Sequence, residues 1–159
     1  MGNLPYNIAT PLIFHLLEHT NRIRDMHCML QREVAQRLTA QSGSKHWGRL
    51  GIMTQFHCRT ELLFEVPPEA FDPPPKVQSA FVRLTPHPRP AFPNADRERL
   101  AQLVRAAFAQ RRKTLRNNLS GLLSVEDIAA ADIDPGCRAE SLAVQDFVRL
   151  SHRLAAQGH

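Results

Sequence analysis

A proline-rich stretch divides the chain into two parts. Four prolines fall within the eight residues 86–93. Proline fixes φ and has no backbone N–H, so neither a helix nor a central strand can continue through such a segment. The sequence therefore predicts a first domain over residues 1–85, a linker over 86–95 and a second domain over 96–159.

The first part alternates patterns that are typical of strands and helices. Apolar residues alternate over 26–30, 62–66 and 77–84, which predicts three strands. Helical spacing predicts helices over 32–38 and around 50–56. An earlier helix is predicted to begin with Thr10 as N-cap and Pro11 at its first position. Helices that alternate with strands indicate an α/β sheet.

The second part has helical patterns only. Apolar residues at i, i+3 and i+4 predict helices over 100–108, around 115–123 and over 144–154. The sequence therefore predicts a small all-α domain after the α/β sheet. The predicted helix starts and capping pairs are Asn94 or Asp96, Ser124 with Asp127, and Asp134 with Pro135.

Basic side chains are concentrated in one segment. The chain carries 20 basic and 15 acidic residues, and residues 97–116 hold seven basic side chains against one acidic. Residues 117–159 hold three basic and six acidic side chains. A local basic patch predicts a polyanionic partner, most simply a nucleic acid, and a solvated helix face is the alternative.

Cysteine usage and hydropathy exclude several classes of protein. The three cysteines at 28, 58 and 137 are far apart and form no CxxC pair, which argues against a disulfide scaffold and a structural zinc site. Cys28 lies on a predicted buried strand, so a core thiol is expected rather than a nucleophile. No apolar segment reaches the ~20 residues that span a bilayer. We expect a cytoplasmic protein that has no membrane partner and is monomeric.

Histidines cluster early in the chain without predicting a metal centre. His15, His19 and His27 could be metal ligands, but the sequence places no carboxylate with them at ligand spacing. We therefore expect surface or hydrogen-bonded histidines and no metal site.

The segment Asn3-Leu4-Pro5-Tyr6 suits chemistry on the exocyclic amine of a base. Such an amine is a poor nucleophile because its lone pair is delocalised into the ring. An Asn oxygen and a backbone carbonyl can accept its N–H bonds and favour a pyramidal nitrogen, while an aromatic ring stacks on a flipped-out base. On these four residues alone, a simple turn is the alternative.

Five segments, in chain order, resemble motifs of the KsgA-type ribosomal RNA adenine dimethyltransferases. The first resembles the start of that family's catalytic loop, and the fourth its base-stacking motif. The third departs from the family's YGRLS by Trp for Tyr and Gly51 for Ser. The segments are Gly2–Leu12, Leu30–Ala35, Trp47–Leu50, Phe71–Ala80 and Gln110–Asn117.

The resemblance implies a role for each matching residue. Asn3 would accept a hydrogen bond from adenine N6 beside the S-adenosylmethionine methyl group, and Leu4 and Pro5 would present backbone carbonyls. Tyr6 and Phe71 would stack on the target base. The basic residues of the last motif would bind ribosomal RNA phosphates, or one or two would pair instead with Asp127, Asp132 or Asp146. These basic residues are Arg111, Arg112, Lys113 and Arg116.

The family's glycine-rich cofactor loop and its acidic ribose ligand are missing from this sequence. The resemblance therefore implies a piece of a longer protein: the C-terminal half of a Rossmann-like methyltransferase sheet, followed by the helical domain. The S-adenosylmethionine site would be only partly present, and this chain alone would be inactive. The parent would dimethylate N6 of adenines in small-subunit ribosomal RNA during ribosome biogenesis. The alternatives are a non-enzymatic RNA- or ribosome-binding module and a macrolide-resistance-type methylase of large-subunit RNA.

Overall fold

The computed structural model describes residues 2, 3 and 6–157, with side-chain positions from Ile8 onward. The chain forms two compact units. The first comprises Met1–Ala40 and Met53–Ala91, and the second Gln41–Ile52 and Phe92–His159. The second unit therefore includes a segment that the sequence assigned to the first domain, and Trp47 within that segment is buried.

The described residues include eleven helices and strands, together with short 3₁₀ turns and loops. The first unit holds the strands, and α3 begins in the second unit and ends in the first. The elements are β1 Gly2–Asn3, α1 Tyr6–Leu17, β2 Met26–Gln31, α2 Arg32–Thr39, α3 Arg49–His57, β3 Cys58–Val66, β4 Ser79–Pro86, α4 Arg97–Ala107, α5 Leu115–Asn118, α6 Val125–Ala130 and α7 Val144–Gln157.

The sheet of the first unit is mixed, with strand order β1-β2-β4-β3. Strand β1 is parallel to β2, with Asn3 opposite Met29. Strand β4 is antiparallel to both of its neighbours, β2 and β3. The predicted combination of a sheet with helices is therefore confirmed.

The two faces of this sheet differ in burial. Alternate residues of β2 and β4, such as Cys28 and Val82, are buried, so Cys28 is a core residue as expected. The residues between them, such as His27 and Phe81, are only half-buried. A strand alternates its side chains between two faces, so one face of the sheet forms the core of the first unit.

The core of the second unit is formed by helices. The apolar stripe of α4 includes Leu100 and Leu103, and α7 contributes Phe147 and Leu150, all 0% exposed. Trp47 packs into the same unit and donates its indole N–H to the backbone oxygen of Leu142 at 2.6 Å. The buried indole thus has the hydrogen-bond partner that its polar atom requires.

Two of the predicted helix starts are confirmed. The Asp96 side chain accepts hydrogen bonds from the backbone N–H groups of Glu98 and Arg99, which caps α4. Ser124 and Asp127 form a reciprocal capping box at the start of α6. Both caps satisfy backbone donors that a helix N-terminus leaves free.

Two other predicted starts are wrong. Helix α1 begins at Tyr6 rather than after Thr10, and it continues through Pro11. Asp134 with Pro135 starts no helix: the Asp134 side chain accepts from the N–H of Gly136, and its carbonyl accepts from that of Cys137. Asp forms such local turns as readily as it caps helices.

No helix in the described part of the chain is long and apolar enough to cross a membrane.

Candidate functional site

Two predicted site segments leave the sheet at the same edge. Strands β1 and β2 are parallel, so their carboxyl ends, at Asn3 and Gln31, share one edge. Gln31 faces Ser79 at the start of β4, and Ser79 faces Val66 at the end of β3. The loop 67–78 between β3 and β4 therefore lies at the edge from which the chain continues after Asn3.

The structure gives only backbone positions for part of the predicted adenine site. Asn3 ends β1, and Tyr6 is the first residue of α1. Leu4 and Pro5 lie outside the described residues, as do the side chains of Asn3 and Tyr6. The roles assigned to these four residues stay predictions.

Phe71 lies in the loop between β3 and β4. It follows a short 3₁₀ turn over Pro68–Ala70, and its backbone N–H donates to the Pro68 oxygen at 3.1 Å. Its side chain is half-buried, and the next peptide bond but one, Asp72–Pro73, is cis. Phe71 therefore lies in a loop that starts and ends at the carboxyl edge.

Three polar side chains connect the ends of this loop to α2. Arg32 Nε lies 3.1 Å from Glu65 Oε1, and the Gln78 amide donates to Glu65 Oε2 at 3.0 Å. The backbone N–H of Arg32 also donates to the Gln78 oxygen at 2.8 Å. Sequence reasoning missed this network, although Arg32 and Gln78 each lie in one of the motifs quoted above.

The basic segment contains a corner between two helices. Helix α4 ends at Ala107 and α5 begins at Leu115, so the corner lies between them. The Asn118 amide donates to the Ala107 and Gln110 oxygens, both at 2.9 Å, and thereby satisfies carbonyl groups at the end of α4. These two hydrogen bonds from α5 thus hold the corner in place.

Arg111 differs from the other basic residues of the corner because it contacts protein groups. Its guanidinium donates to the Lys45 oxygen at 2.8 Å and to the Trp47 oxygen at 3.1 Å, and lies 3.4 Å from Glu140. It therefore fastens the segment 41–52 to the rest of the second unit. Its acidic partner is none of the three aspartates that the sequence suggested.

The other three basic residues are exposed. The side chains of Arg112, Lys113 and Arg116 form no hydrogen bond or ion pair with the residues that the structure describes. Arginine and lysine side chains in this situation are available to a polyanion. Phosphate binding by the four predicted residues stays a prediction, and these three fit it better than Arg111.

The early histidines do have a carboxylate nearby, and the contrary expectation is wrong. Glu18 Oε2 lies 4.0 Å from His15 Nδ1, and the His15 and His19 rings meet edge to face with centroids 5.1 Å apart. The turn after α1 retains helical spacing, since the His19 N–H donates to the Leu16 oxygen. His27 pairs instead with Asp25 at 3.6 Å.

Two cysteines of the first unit are buried. Desolvation raises the pKa of Cys58 to about 12 and also raises the pKa of Cys28. The thiolate is the reactive form of cysteine, so neither residue suits a nucleophile.

Two curated proteins of similar sequence have the same name. The chain is 62% identical over 155 residues to "Ribosomal RNA small subunit methyltransferase A" of Pseudomonas aeruginosa, covering 98% of this chain and 58% of that protein. The protein of that name from Laribacter hongkongensis is 54% identical over 158 residues, covering 99% of this chain and 60% of the relative. The chain thus spans somewhat more than half the length of these relatives.

Solved structures give a similar result at lower sequence identity. A dimethyladenosine transferase from Plasmodium falciparum matches with a TM-score of 0.86 and 26% identity, over 98% of this chain and 66% of that one. The 23S rRNA methyltransferase ErmE matches with a TM-score of 0.72 and 26% identity, over 97% and 64%.

The model of one protein family accounts for nearly the whole chain. It is described as ribosomal RNA adenine dimethylase, and it matches residues 1–156. That range includes the carboxyl edge of the sheet in the first unit. It also includes the basic corner of the second unit, which is formed by Arg111, Arg112, Lys113 and Arg116. The chain therefore belongs to the ribosomal RNA adenine dimethylase family.

Proposed function

We propose that this chain is the substrate-binding part of an S-adenosylmethionine-dependent enzyme that dimethylates N6 of adenines in small-subunit ribosomal RNA. The family match over residues 1–156 carries the proposal, because it includes both Asn3–Tyr6, the segment predicted to bind the target adenine, and the basic corner. The enzyme would act in the cytoplasm during ribosome biogenesis. The first unit would be the C-terminal half of a Rossmann-like methyltransferase sheet.

The target adenine would bind at the carboxyl edge of the sheet. In open α/β sheets, ligands bind outside the carboxyl ends of the strands. Asn3 would accept a hydrogen bond from N6 together with the Leu4 or Pro5 carbonyl, and Tyr6 and Phe71 would stack on the base. The position of the loop 67–78 supports this arrangement, since the loop and the residues after Asn3 share that edge.

The Arg32–Glu65–Gln78 network would position Phe71. It joins the end of β3, the residue before β4 and the first residue of α2. A loop held in this way would keep the Phe71 ring in place for stacking. The three network residues would not themselves contact the base. These three residues are therefore positioning residues in this proposal.

S-adenosylmethionine would supply the methyl group, and this chain would contribute little to its site. Asn3 is its predicted contact, and the sequence has neither a glycine-rich GxGxG loop nor the family's acidic ribose ligand. The residues present therefore do not make a complete cofactor site. We expect the isolated chain to bind S-adenosylmethionine very weakly, because backbone N–H groups of such loops supply most directional contacts.

The basic corner would bind the RNA backbone. Arg112, Lys113 and Arg116 are exposed, and phosphate contacts position a protein on nucleic acid without reading its sequence. Arg111 would act through the second unit instead, because its guanidinium already contacts Lys45, Trp47 and Glu140.

We propose small-subunit rather than large-subunit ribosomal RNA as the substrate. The relatives that are 54–62% identical carry a small-subunit name. The higher TM-score, 0.86 against 0.72, also belongs to the dimethyladenosine transferase rather than to the 23S enzyme.

The proposal is tested by joining this chain to the cofactor-binding half of the Pseudomonas aeruginosa relative. Methyl transfer to unmodified small-subunit particles is measured at several RNA concentrations. Asn3→Ala is expected to lower kcat with little change in KM, since its contact strengthens as the amine becomes pyramidal. Phe71→Ala is expected to raise KM and lower kcat, because base stacking is worth ~1–3 kcal/mol.

A matched control for Asn3 is available in the same unit. Asn21 is an exposed residue of the turn before β2, away from the carboxyl edge of the sheet, so Asn21→Ala should retain activity. If Asn3→Ala raised KM and left kcat intact, the role assigned to Asn3 would be wrong.

A further inference from the structure

Three side chains at the end of α1 bring metal-ligating atoms together. His15, Glu18 and His19 each offer one such atom, and these atoms all lie within 4.8 Å of one another. No other group of three or more such side chains occurs among the described residues. The spacing i, i+3, i+4 places the three residues on one side of a helical turn.

The turn that follows α1 maintains this arrangement. Helix α1 ends at Leu17, but the Glu18 N–H still donates to the His15 oxygen at 3.1 Å. The His19 N–H donates to the Leu16 oxygen at 3.0 Å. These bonds continue the helical geometry for two residues, so Glu18 and His19 stay beside His15.

The distances suit a divalent transition metal. Zinc binds His nitrogen and carboxylate oxygen at about 2.0–2.2 Å, so tetrahedral ligand atoms lie about 3.4 Å apart. His15 Nδ1 and Glu18 Oε2 are 4.0 Å apart, and small side-chain rotations would bring them to that separation. Two imidazoles and one carboxylate are a set that zinc uses elsewhere, with water in the remaining position.

We propose that His15, Glu18 and His19 bind one Zn²⁺ or a similar divalent transition-metal ion at the C-terminal end of α1. The end of a helix carries partial negative charge from its free carbonyl groups, which favours a bound cation. The His15 and Glu18 side chains are 65% and 57% exposed, so the ion can enter from solvent and retain water ligands.

The bound ion would fasten the last turn of α1 to the residues that follow it. Binding to the folded state alone stabilises that state, by an amount that grows with metal concentration. We therefore expect zinc to stabilise the first unit. The site lies on the helix whose first residue is Tyr6, and it does not depend on the proposed methyltransferase activity.

The test is a titration of the 159-residue chain with ZnCl₂, followed through the side-chain resonances of its eight histidines. We expect the His15 and His19 resonances to shift together and to saturate at one equivalent. Calorimetry should give at least a tenfold weaker affinity for His15→Ala and for His19→Ala, and a smaller loss for Glu18→Gln. His152→Ala, which removes an exposed histidine of the second unit, should bind zinc as the parent does.

Two results would overturn the proposal. One is the absence of His15 and His19 shifts at millimolar zinc. The other is unchanged affinity in the His15→Ala/His19→Ala double variant, which would place the ion on other residues. Circular dichroism of each variant confirms that it is folded, so a loss of affinity cannot come from unfolding.

Discussion

The two units bury their apolar side chains to different extents. In the second unit, α4 and α7 enclose Leu103, Phe147 and Leu150, all 0% exposed. In the first unit, one sheet face is buried, while Phe64 on β3 is 53% exposed and stacks on half-buried Phe81 with centroids 5.2 Å apart. The second unit thus has a closed core, whereas the first leaves apolar surface that the described residues do not cover.

The largest expected difference concerns one phenylalanine in each unit. Phe147→Ala should lower the free energy of unfolding of the second unit by ~3–5 kcal/mol, because it leaves a cavity in a closed core. Phe64→Ala should cost the first unit about 1 kcal/mol, chiefly the stacked ring pair. Urea unfolding measures both: Trp47, the single tryptophan, reports on the second unit, and the reaction of buried Cys28 and Cys58 with a thiol reagent reports on the first. Equal losses in the two variants would contradict the comparison.

The next effect separates Arg111 from its neighbour in the corner. Arg111→Ala should destabilise the second unit by about 2 kcal/mol, since it leaves the Lys45 and Trp47 carbonyls and Glu140 without their charged partner. Arg112→Ala should change stability by less than about 0.5 kcal/mol, as is usual at exposed positions. The shift of the Trp47 unfolding midpoint in urea measures both. If Arg112→Ala had the larger effect, the structural role assigned to Arg111 would be wrong.

A third prediction concerns the salt dependence of RNA binding. Replacing Arg112, Lys113 and Arg116 by Ala should reduce the slope of log K against log salt concentration by up to ~0.9 for each lost phosphate contact, and by less on single strands. Titration of small-subunit RNA at several salt concentrations gives the slope. Arg111→Lys, which keeps the charge, serves as the matched control and should leave the slope unchanged. An unchanged slope in the triple variant would remove the corner from the RNA interface.

The smallest effect is a pH dependence in the second unit. Hydrogen bonds from the Ser124 side chain and from Arg153 lower the pKa of Asp127 in the folded state. A lowered pKa contributes stability above the ordinary Asp value, and this contribution is lost as the pH falls toward the folded value. Asp127→Asn should therefore weaken the acid dependence of the Trp47 transition at pH values below the ordinary Asp pKa of about 4. An identical pH profile for parent and variant would exclude this contribution.

Much of the fold follows from local sequence patterns. The periodicity of α4, the Asp96 cap and the Ser124–Asp127 box are local features, and the structure contains all three. The helix start at Asp134 was wrong because an aspartate before Pro135 also makes a turn, and local sequence does not distinguish the two. Sequence patterns therefore predict elements better than they predict their exact starts.

Long-range contacts could not be predicted in this way. The sequence marked Arg111 as basic, but its contacts with Lys45 and Trp47 join residues more than sixty positions apart. The link from Arg32 to Glu65 and Gln78 likewise depends on strand register. Charge and motif identify candidate residues. Only the fold distinguishes a basic side chain that is exposed to a partner, such as Arg112, from one that holds the protein together, such as Arg111.

In the proposed function, this chain binds adenine and RNA for N6,N6-dimethylation of small-subunit ribosomal RNA. The most direct measurement is nucleoside mass spectrometry after the joined protein has been incubated with S-adenosylmethionine and with unmodified small- or large-subunit RNA. We expect N6,N6-dimethyladenosine in the small-subunit RNA, and much less of it when Asn3 is replaced by Ala. Methylation of the large-subunit RNA instead, or none in either RNA by a folded protein that binds both cofactor and RNA, would contradict it.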